Sequence, residues 1–257
     1  MELINSVARR SKIGEIGHIV LNLTLVVTVL VLVLVFNSPY LAYLALILSK
    51  WRIFAVRPRF WWTNLKSNLL DIMFGISIVT LIWQNSGWFS IQLIFSVVFA
   101  LWVIFLKPLN KHLALIAQAG IMQFVALWAL FTVAYSLPQI VVVVIAAVIG
   151  FVASHHVINL FAEEFEDTLL NLIWAFVVAT LGWITWYWTI AYTPLRVPQI
   201  SLLVTLLSFW ALAIYQSLYR ESAGQRVDNR ALTAPTIFVL VGIVLLLVSN
   251  FFDQTSL

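Results

Sequence analysis

The amino-acid sequence predicts an all-α fold: a polytopic integral membrane helix bundle of about nine transmembrane helices in a single domain, residues 1–257. The chain is 63% hydrophobic and only 9% charged, whereas a soluble domain carries about 25% charged residues. Several apolar runs reach the roughly 18 residues that are typical of a membrane-spanning helix. The alternating pattern of a membrane β-barrel, the other spanning architecture, is absent from the sequence.

The predicted spans follow the apolar runs between short turns. The first run is too long for the apolar part of a signal peptide, so we expect a retained helix. The second run is short, but both flanking basic segments should stay cytoplasmic, so it must cross the membrane, with Lys50 and Arg52 reaching back to the interface. The spans are residues 19–36, 40–56, 69–83, 88–106, 113–135, 139–161, 168–192, 198–219 and 235–252.

The distribution of basic residues predicts the orientation of the chain. With a cytoplasmic N-terminus and an outside C-terminus, thirteen of the fourteen Lys and Arg residues lie inside and only Arg196 lies outside. Cytoplasmic loops carry this excess of positive charge in membrane proteins. We therefore expect a multi-pass protein of the plasma (inner) membrane.

Helix-breaking residues are placed at the ends of the predicted spans. All seven prolines fall in loops or in a first helical turn, and no GxxxG pair occurs. Discontinuous transport helices usually show Gly or Pro interruptions. We therefore expect continuous helices, with spans that follow each other in sequence packed as antiparallel neighbours.

The most polar stretch joins spans six and seven, at residues 154–174. If span six continues as a helix, His155, Asn159 and Glu163 lie on one stripe at spacings of four residues. Histidine and carboxylate ligands suit zinc, iron or manganese, and histidine can also relay protons. A divalent metal, if one binds, would use His155, His156 and Glu163. The candidate polar site comprises His155, His156, Asn159, Glu163, Glu164, Glu166 and Asp167.

The predicted topology places other titratable residues at the same cytoplasmic side, namely His18, Asp71 and His112. A structural role for the junction is favoured over a metal or proton site. Glu166 and Asp167 stand at the start of span seven, where the helix dipole stabilises negative charge by about 0.3–1 kcal/mol. The acids can also pair with basic loops, and the histidines can face lipid headgroups.

The segment at residues 50–66 interleaves basic and aromatic residues. We favour an interfacial anchor, with aromatic rings at headgroup level and cations on anionic lipid. The alternative is a headgroup or phosphate site in which Arg57 and Arg59 bind the anion. The segment is too short and too close to the membrane to favour nucleic-acid binding.

Several site chemistries are excluded by the sequence. There is no cysteine, which removes thiolate metal sites and cysteine nucleophiles. The HExxH zinc motif and the GxSG motif of rhomboid proteases are absent. No lysine follows Lys111 to attach retinal in a late span.

Uncharged polar side chains occur within three of the predicted spans: Gln118 and Gln123 in span five, Thr180 in span seven, and Thr205 and Ser208 in span eight. Such groups form hydrogen bonds between membrane helices. No charged residue falls at a predicted midplane, which argues against a proton-coupled carrier.

We expect a permease or a carrier of lipid or small molecules with its polar site at the cytoplasmic leaflet. The alternatives are a metal- or histidine-dependent membrane enzyme acting on a lipid or headgroup, and a scaffold subunit that docks a protein partner at the acidic junction.

Overall fold

The computed structural model describes residues 2–51, 55, 57–109, 111–161, 167–187, 190–192, 195–222 and 229–254. Within this part of the chain the protein is almost entirely helical. The described helices are α1 (Glu2–Phe36), α2 (Tyr40–Ser49), α3 (Trp61–Gln84), α4 (Phe89–Leu101), α5 (His112–Val133), α6 (Gln139–Ile158), α7 (Asp167–Trp186), α8 (Gln199–Ser222) and α9 (Asn229–Gln254).

Seven of these helices are long and apolar enough to cross a membrane, which confirms the all-α class and supports a multi-pass membrane protein. The two shorter apolar stretches are Tyr40–Ser49 and Leu232–Leu246. Large apolar side chains cover the outer faces of the helices; Leu21 and Phe176, for example, are 70% and 72% exposed. Such faces suit lipid rather than water.

The chain divides into two compact units, Met1–Gln118 and Ala119–Leu257. In the first unit, α1 packs on α2, α3 and α4, and α3 also packs on both α2 and α4. Helix α3 provides the largest share of the buried core here, including Phe74, Ile78 and Ile82, which are fully buried.

In the second unit, α6 and α7 form the most extensive helix pair, and α8 packs on both α7 and α9. Its core includes Met122, Leu127, Phe131, Ile149 and Ile200. Helices that follow each other in sequence pack on each other from α1 to α4 and from α6 to α9, as expected from the short loops. The expectation does not hold for α5 and α6, which make little contact with each other. The single domain predicted from the sequence stays a prediction.

The second predicted span is wrong in its extent, because α2 ends at Ser49 instead of continuing to Val56. The backbone N–H of Lys50 donates to the Ile47 carbonyl at 3.0 Å, which closes the helix with a tight final turn. The Lys50 side chain then forms a hydrogen bond with Asp71 on α3. Of the remaining predicted span, residues 52–54 and 56 lie outside the described part of the chain.

Several other boundaries differ from the predicted ones; α6, for example, ends at Ile158 instead of 161. Helix α3 begins at Trp61, eight residues before the predicted start at 69, because the interfacial segment is itself helical. Span seven ends at Trp186, and Ala191–Tyr192 instead pairs antiparallel with Val197–Pro198, around the left-handed residue Arg196. Helix α9 begins at Asn229, so Pro235 lies inside it and not in its first turn.

Helix α4 continues without a break, as expected, but its geometry changes, because it passes into a π-helical turn at Trp102–Leu106. A short 3-10 helix, Pro58–Phe60, directly precedes α3, and another, Ala134–Ser136, directly follows α5. The π-helical turn contributes directly to a polar site of the first unit.

Candidate functional site

His155 lies in the last turn of α6 and contacts two asparagines. Its Nε2 atom is 3.2 Å from the amide nitrogen of Asn159, the C-cap residue one turn further along, so these two side chains are neighbours as expected. The predicted stripe does not continue as a helix towards Glu163, because α6 ends at Ile158 and the chain turns at residues 159–161. The Nδ1 atom of His155 is 3.3 Å from the amide nitrogen of Asn171 on α7. The ring also stacks on Phe151, with centroids 5.8 Å apart. Because both ring nitrogens face amides, a metal would have to displace one asparagine to bind His155.

A second set of polar contacts joins three helices of the same unit. The indole N–H of Trp174 on α7 donates to Gln123 Oε1 on α5 at 3.3 Å. The Gln123 amide nitrogen donates to the Ser208 hydroxyl on α8 at 2.8 Å, and Ser208 donates to the Val204 carbonyl at 2.7 Å. Gln123 is only 2% exposed, so this connection lies in the interior.

Helix α7 brings the two sets together. Asn171 and Trp174 are three residues apart, so their side chains project from the same face of the helix. Asn171 is 1% exposed, and its Oδ1 atom is buried with no hydrogen-bond partner among the described residues. The interior polar network, which we define as Gln123, His155, Asn171, Trp174 and Ser208, therefore includes an acceptor that no described protein group fills.

Glycines allow the close approach of α6 and α7 that this network needs. A Cβ added at Gly150 would lie 2.9 Å from Val178 and 3.3 Å from the backbone of Ala175. A Cβ added at Gly182 would lie 3.2 Å from the Ala146 side chain. Small residues at such positions let membrane helices approach closely, and this approach sets the distance between His155 and Asn171.

The first unit contains an ionic site centred on Asp71. The Lys50 ammonium donates to Asp71 Oδ2 at 3.0 Å, and the Lys107 ammonium pairs with the same oxygen. The indole N–H of Trp102 donates to the other oxygen, Oδ1, at 2.9 Å. The carboxylate side chain is only 11% exposed, whereas Lys50 and Lys107 are 19% and 35% exposed.

The register of α2 on α3 places Lys50 beside Asp71. Tyr43 and Thr80 share a hydrogen bond of 2.8 Å between their hydroxyls. One turn further along α2, Leu46 fills the space where Gly75 has no side chain. Lys50 follows by one more turn, so these α2 residues meet successively earlier residues of α3, as an antiparallel pair requires.

The π-helical turn places Lys107 and Trp102 on the same side of α4. The Lys107 N–H donates to the Trp102 carbonyl at 2.9 Å, five residues back. In a regular α-helix of 3.6 residues per turn, side chains five residues apart would point about 140° apart. Such π turns are frequent at functional sites, and here the turn lets both side chains reach Asp71.

Packing and capping hold this turn in place. Trp102 is 3% exposed and stacks on Phe74, with ring centroids 3.8 Å apart. The amide of Gln118 donates to the carbonyls of Leu106 and Leu109 at 2.6 and 3.2 Å. Gln118 on α5 therefore forms a hydrogen bond to the preceding span, as expected. The carbonyl groups that it contacts lie at the end of that helix, where carbonyls lack intrahelical partners.

The ionic site keeps Lys107 charged. Burial by itself would lower the pKa of the Lys107 ammonium, but attraction to the Asp71 carboxylate and the hydrogen bond between them outweigh burial, so the pKa of Lys107 is raised.

The other predicted site residues have mixed outcomes. Glu163, Glu164 and Glu166 lie outside the described residues, as do the side chains of Asp167 and His18. No group of three or more metal-ligating side chains occurs among the described residues. The metal site at His155, His156 and Glu163 stays a prediction.

The remaining candidates lie near the ends of helices. His156 follows His155 in the last turn of α6 and is half-buried, and His112 begins α5 and is exposed. The Arg59 guanidinium lies 4.6 Å from the centre of the Phe60 ring, in keeping with an interfacial anchor. Arg57 is exposed ahead of the turn Pro58–Phe60, and the described contacts of Asp71 include neither arginine.

The sequence prediction missed the partners of Asp71, although one signal was available. Asp71 is the only acidic residue between Glu15 and Glu163, an interval that holds seven Lys and Arg residues. A lone acid inside a predicted span among so many cations is expected to pair with one of them. Which cations it pairs with depends on the α2–α3 register and on the π-helical turn.

Comparison with known proteins gives no relative: no family model, no curated protein and no solved structure matches the chain.

Proposed function

We propose that the protein is a membrane carrier of a small molecule or lipid, and that the interior polar network of the second unit binds the polar part of its cargo. The observation that carries this proposal is the buried Asn171 Oδ1 acceptor, which has no partner among the described residues. Asn171 contacts His155 on α6 and lies three residues from Trp174, which hydrogen-bonds to Gln123 on α5. Gln123 in turn donates to Ser208 on α8.

The energetic cost of this arrangement supports a binding role. A buried polar atom left without a hydrogen bond destabilises the fold by about 1–3 kcal/mol. A hydrogen bond between membrane helices stabilises it by only about 0.6 kcal/mol on average. A buried acceptor with no partner among the described residues is therefore a poor structural element and a good ligand contact. The amide, indole and hydroxyl groups of the network match a neutral hydroxyl or amide group in the cargo.

We propose nine crossings, with the N-terminus cytoplasmic and the C-terminus outside, in the plasma (inner) membrane. The short helix α2 follows α3 from the Trp83 level, where the indole donates to the Asn37 carbonyl, down to Asp71. Those twelve residues of α3 correspond to about 18 Å along the helix axis, which is less than the roughly 30 Å of the hydrocarbon core. The proposed crossing of α2 therefore rests on the basic segments before the apolar part of α1 and after α2, which should both stay cytoplasmic. A reporter fused after residue 257 should be active only outside the cytoplasm, and activity inside would contradict this topology.

The transport proposal is tested by flux into liposomes that contain the purified protein. One arm measures exchange of a fluorescent phospholipid between leaflets, and the other measures uptake of radiolabelled amino acids, sugars and nucleosides. We expect at least one probe to move faster than in protein-free liposomes. We also expect Asn171→Leu to reduce that flux, because leucine removes the hydrogen-bonding amide.

Thr180→Val is the matched control, since Thr180 lies on the same helix and its hydroxyl donates to the Phe176 carbonyl of its own helix. This variant should keep wild-type flux. Equal flux in wild type and Asn171→Leu would contradict the assignment of the network, and the absence of flux for every probe would contradict the carrier proposal.

A further inference from the structure

The ionic site of the first unit carries more positive than negative charge. Asp71 contributes one negative charge, and both the Lys50 and Lys107 ammonium groups approach its Oδ2 atom. Trp102 occupies Oδ1 with a neutral N–H group. With both lysines protonated, the site has one positive charge in excess.

The three helices that contribute the ionic site offer no further acidic residue to balance that charge. Asp71 is the only acidic residue between Glu15 and Glu163, so α2, α3 and α4 contain no second carboxylate. Excess charge in a poorly solvated place is removed either by loss of a proton or by a counter-ion. Burial lowers the pKa of Lys107, but the Asp71 carboxylate outweighs burial and raises it, so Lys107 keeps its proton. Burial and the neighbouring Lys107 ammonium lower the pKa of Lys50, and a bound anion would favour the protonated form of both lysines.

The position of Lys107 makes it accessible to a membrane-derived anion. Lys107 directly follows the apolar stretch Phe89–Leu106, and its side chain is 35% exposed. Exposed tryptophans, which favour the headgroup region, occur at the ends of helices that the antiparallel packing brings to this side of the unit. Trp51 follows α2, and Trp61 and Trp62 begin α3, with 64%, 40% and 65% of their surfaces exposed.

We infer that Lys107 and Lys50 form a binding site for the phosphate group of an anionic lipid, with Asp71 and Trp102 holding the lysines in position. The bound phosphodiester supplies the missing negative charge and accepts hydrogen bonds from the ammonium groups. This site lies in the first unit and does not depend on transport by the second, so either proposal can fail while the other stands.

The experiment measures lipid binding to the purified full-length protein in neutral detergent by native mass spectrometry. The probes are phosphatidylglycerol, phosphatidylcholine of the same acyl chains, and inorganic phosphate as a competitor. The variants are Lys107→Gln, Lys111→Gln and Asp71→Asn. Lys111 is the matched control, because it is an exposed lysine four residues from Lys107 that is not a described partner of Asp71.

We expect phosphatidylglycerol to bind more tightly than phosphatidylcholine, and Lys107→Gln to weaken it roughly fivefold to tenfold, as expected for loss of one cation near the headgroup. Lys111→Gln should change binding less than about twofold. Asp71→Asn should tighten binding, because it removes the competing negative charge. A lysine pair that serves only to stabilise the fold would not produce these opposite shifts.

Three results would overturn the inference. The first is equal binding of phosphatidylglycerol and phosphatidylcholine to the wild type. The second is an equal effect of Lys107→Gln and Lys111→Gln. The third is displacement of phosphatidylglycerol by millimolar inorganic phosphate, which would identify a soluble anion as the ligand. Lys107→Gln leaves Lys50 and Asp71 as a neutral pair, so this variant is expected to fold even if Asp71→Asn does not.

Discussion

Replacing Gly150 with alanine tests whether the close approach of α6 and α7 positions the interior polar network. The added Cβ would lie 2.9 Å from both the Cβ and a Cγ of Val178. Carbon atoms pack best at about 3.5–4.0 Å, so the helices must separate by roughly half an ångström or more. The Ala175 backbone, at 3.3 Å, cannot move aside by changing its rotamer.

The cost follows from overpacking, which typically destabilises a protein by about 1–3 kcal/mol. The exchange of glycine for alanine within a helix returns about 0.5–1 kcal/mol, so the net loss should be on the order of 1–2 kcal/mol. For a chain of this size, each kcal/mol changes the Tm by about 2–4 °C. Gly150→Ala should also reduce transport, because it separates His155 from Asn171.

Gly120 provides the control, since it lies within α5 and a Cβ there would meet no atom within 4 Å. Gly120→Ala should therefore be neutral or slightly stabilising. Thermal unfolding of both variants in the same detergent measures the difference. If Gly150→Ala is as stable as Gly120→Ala and shows wild-type flux, close packing at Gly150 does not position the network.

Two further substitutions test individual hydrogen bonds. Trp102→Phe keeps the stacking surface but removes the N–H donor to Asp71, which should cost about 1–3 kcal/mol in thermal unfolding; Trp88→Phe, at a residue 71% exposed, should cost little. Gln123→Leu removes the contacts with Trp174 and Ser208, and two membrane hydrogen bonds at about 0.6 kcal/mol each predict a loss near 1 kcal/mol. Stability unchanged by Trp102→Phe or by Gln123→Leu would show that the corresponding contacts are weaker than their geometry indicates.

Local periodicity explains what could be predicted of these sites. The contact between His155 and Asn159 follows from helical spacing alone, because residues four apart lie on one face. The contact between His155 and Asn171 does not, since it depends on how closely α6 and α7 pack. The glycine that permits this approach is visible in the sequence, but its partner helix is not.

The ionic site shows the same limit. The position of the lone acid Asp71 near the start of a span marks it as a candidate site residue. Its pairing with Lys50 depends on the register between two helices, and its pairing with Lys107 depends on a π-helical turn. Such a turn adds a residue to one helical repeat, and the apolar sequence of residues 102–106 carries no signal for it.

The most direct test of the carrier proposal asks whether water reaches the interior polar network. The chain has no cysteine, so single cysteines can be introduced without removing others. In liposomes, Ser208→Cys should react with a charged, water-soluble thiosulfonate reagent, whereas Val178→Cys, at a fully buried position between α6 and α7, should not. If Ser208→Cys is as unreactive as Val178→Cys, the network is a sealed part of the helix packing and the carrier proposal is wrong.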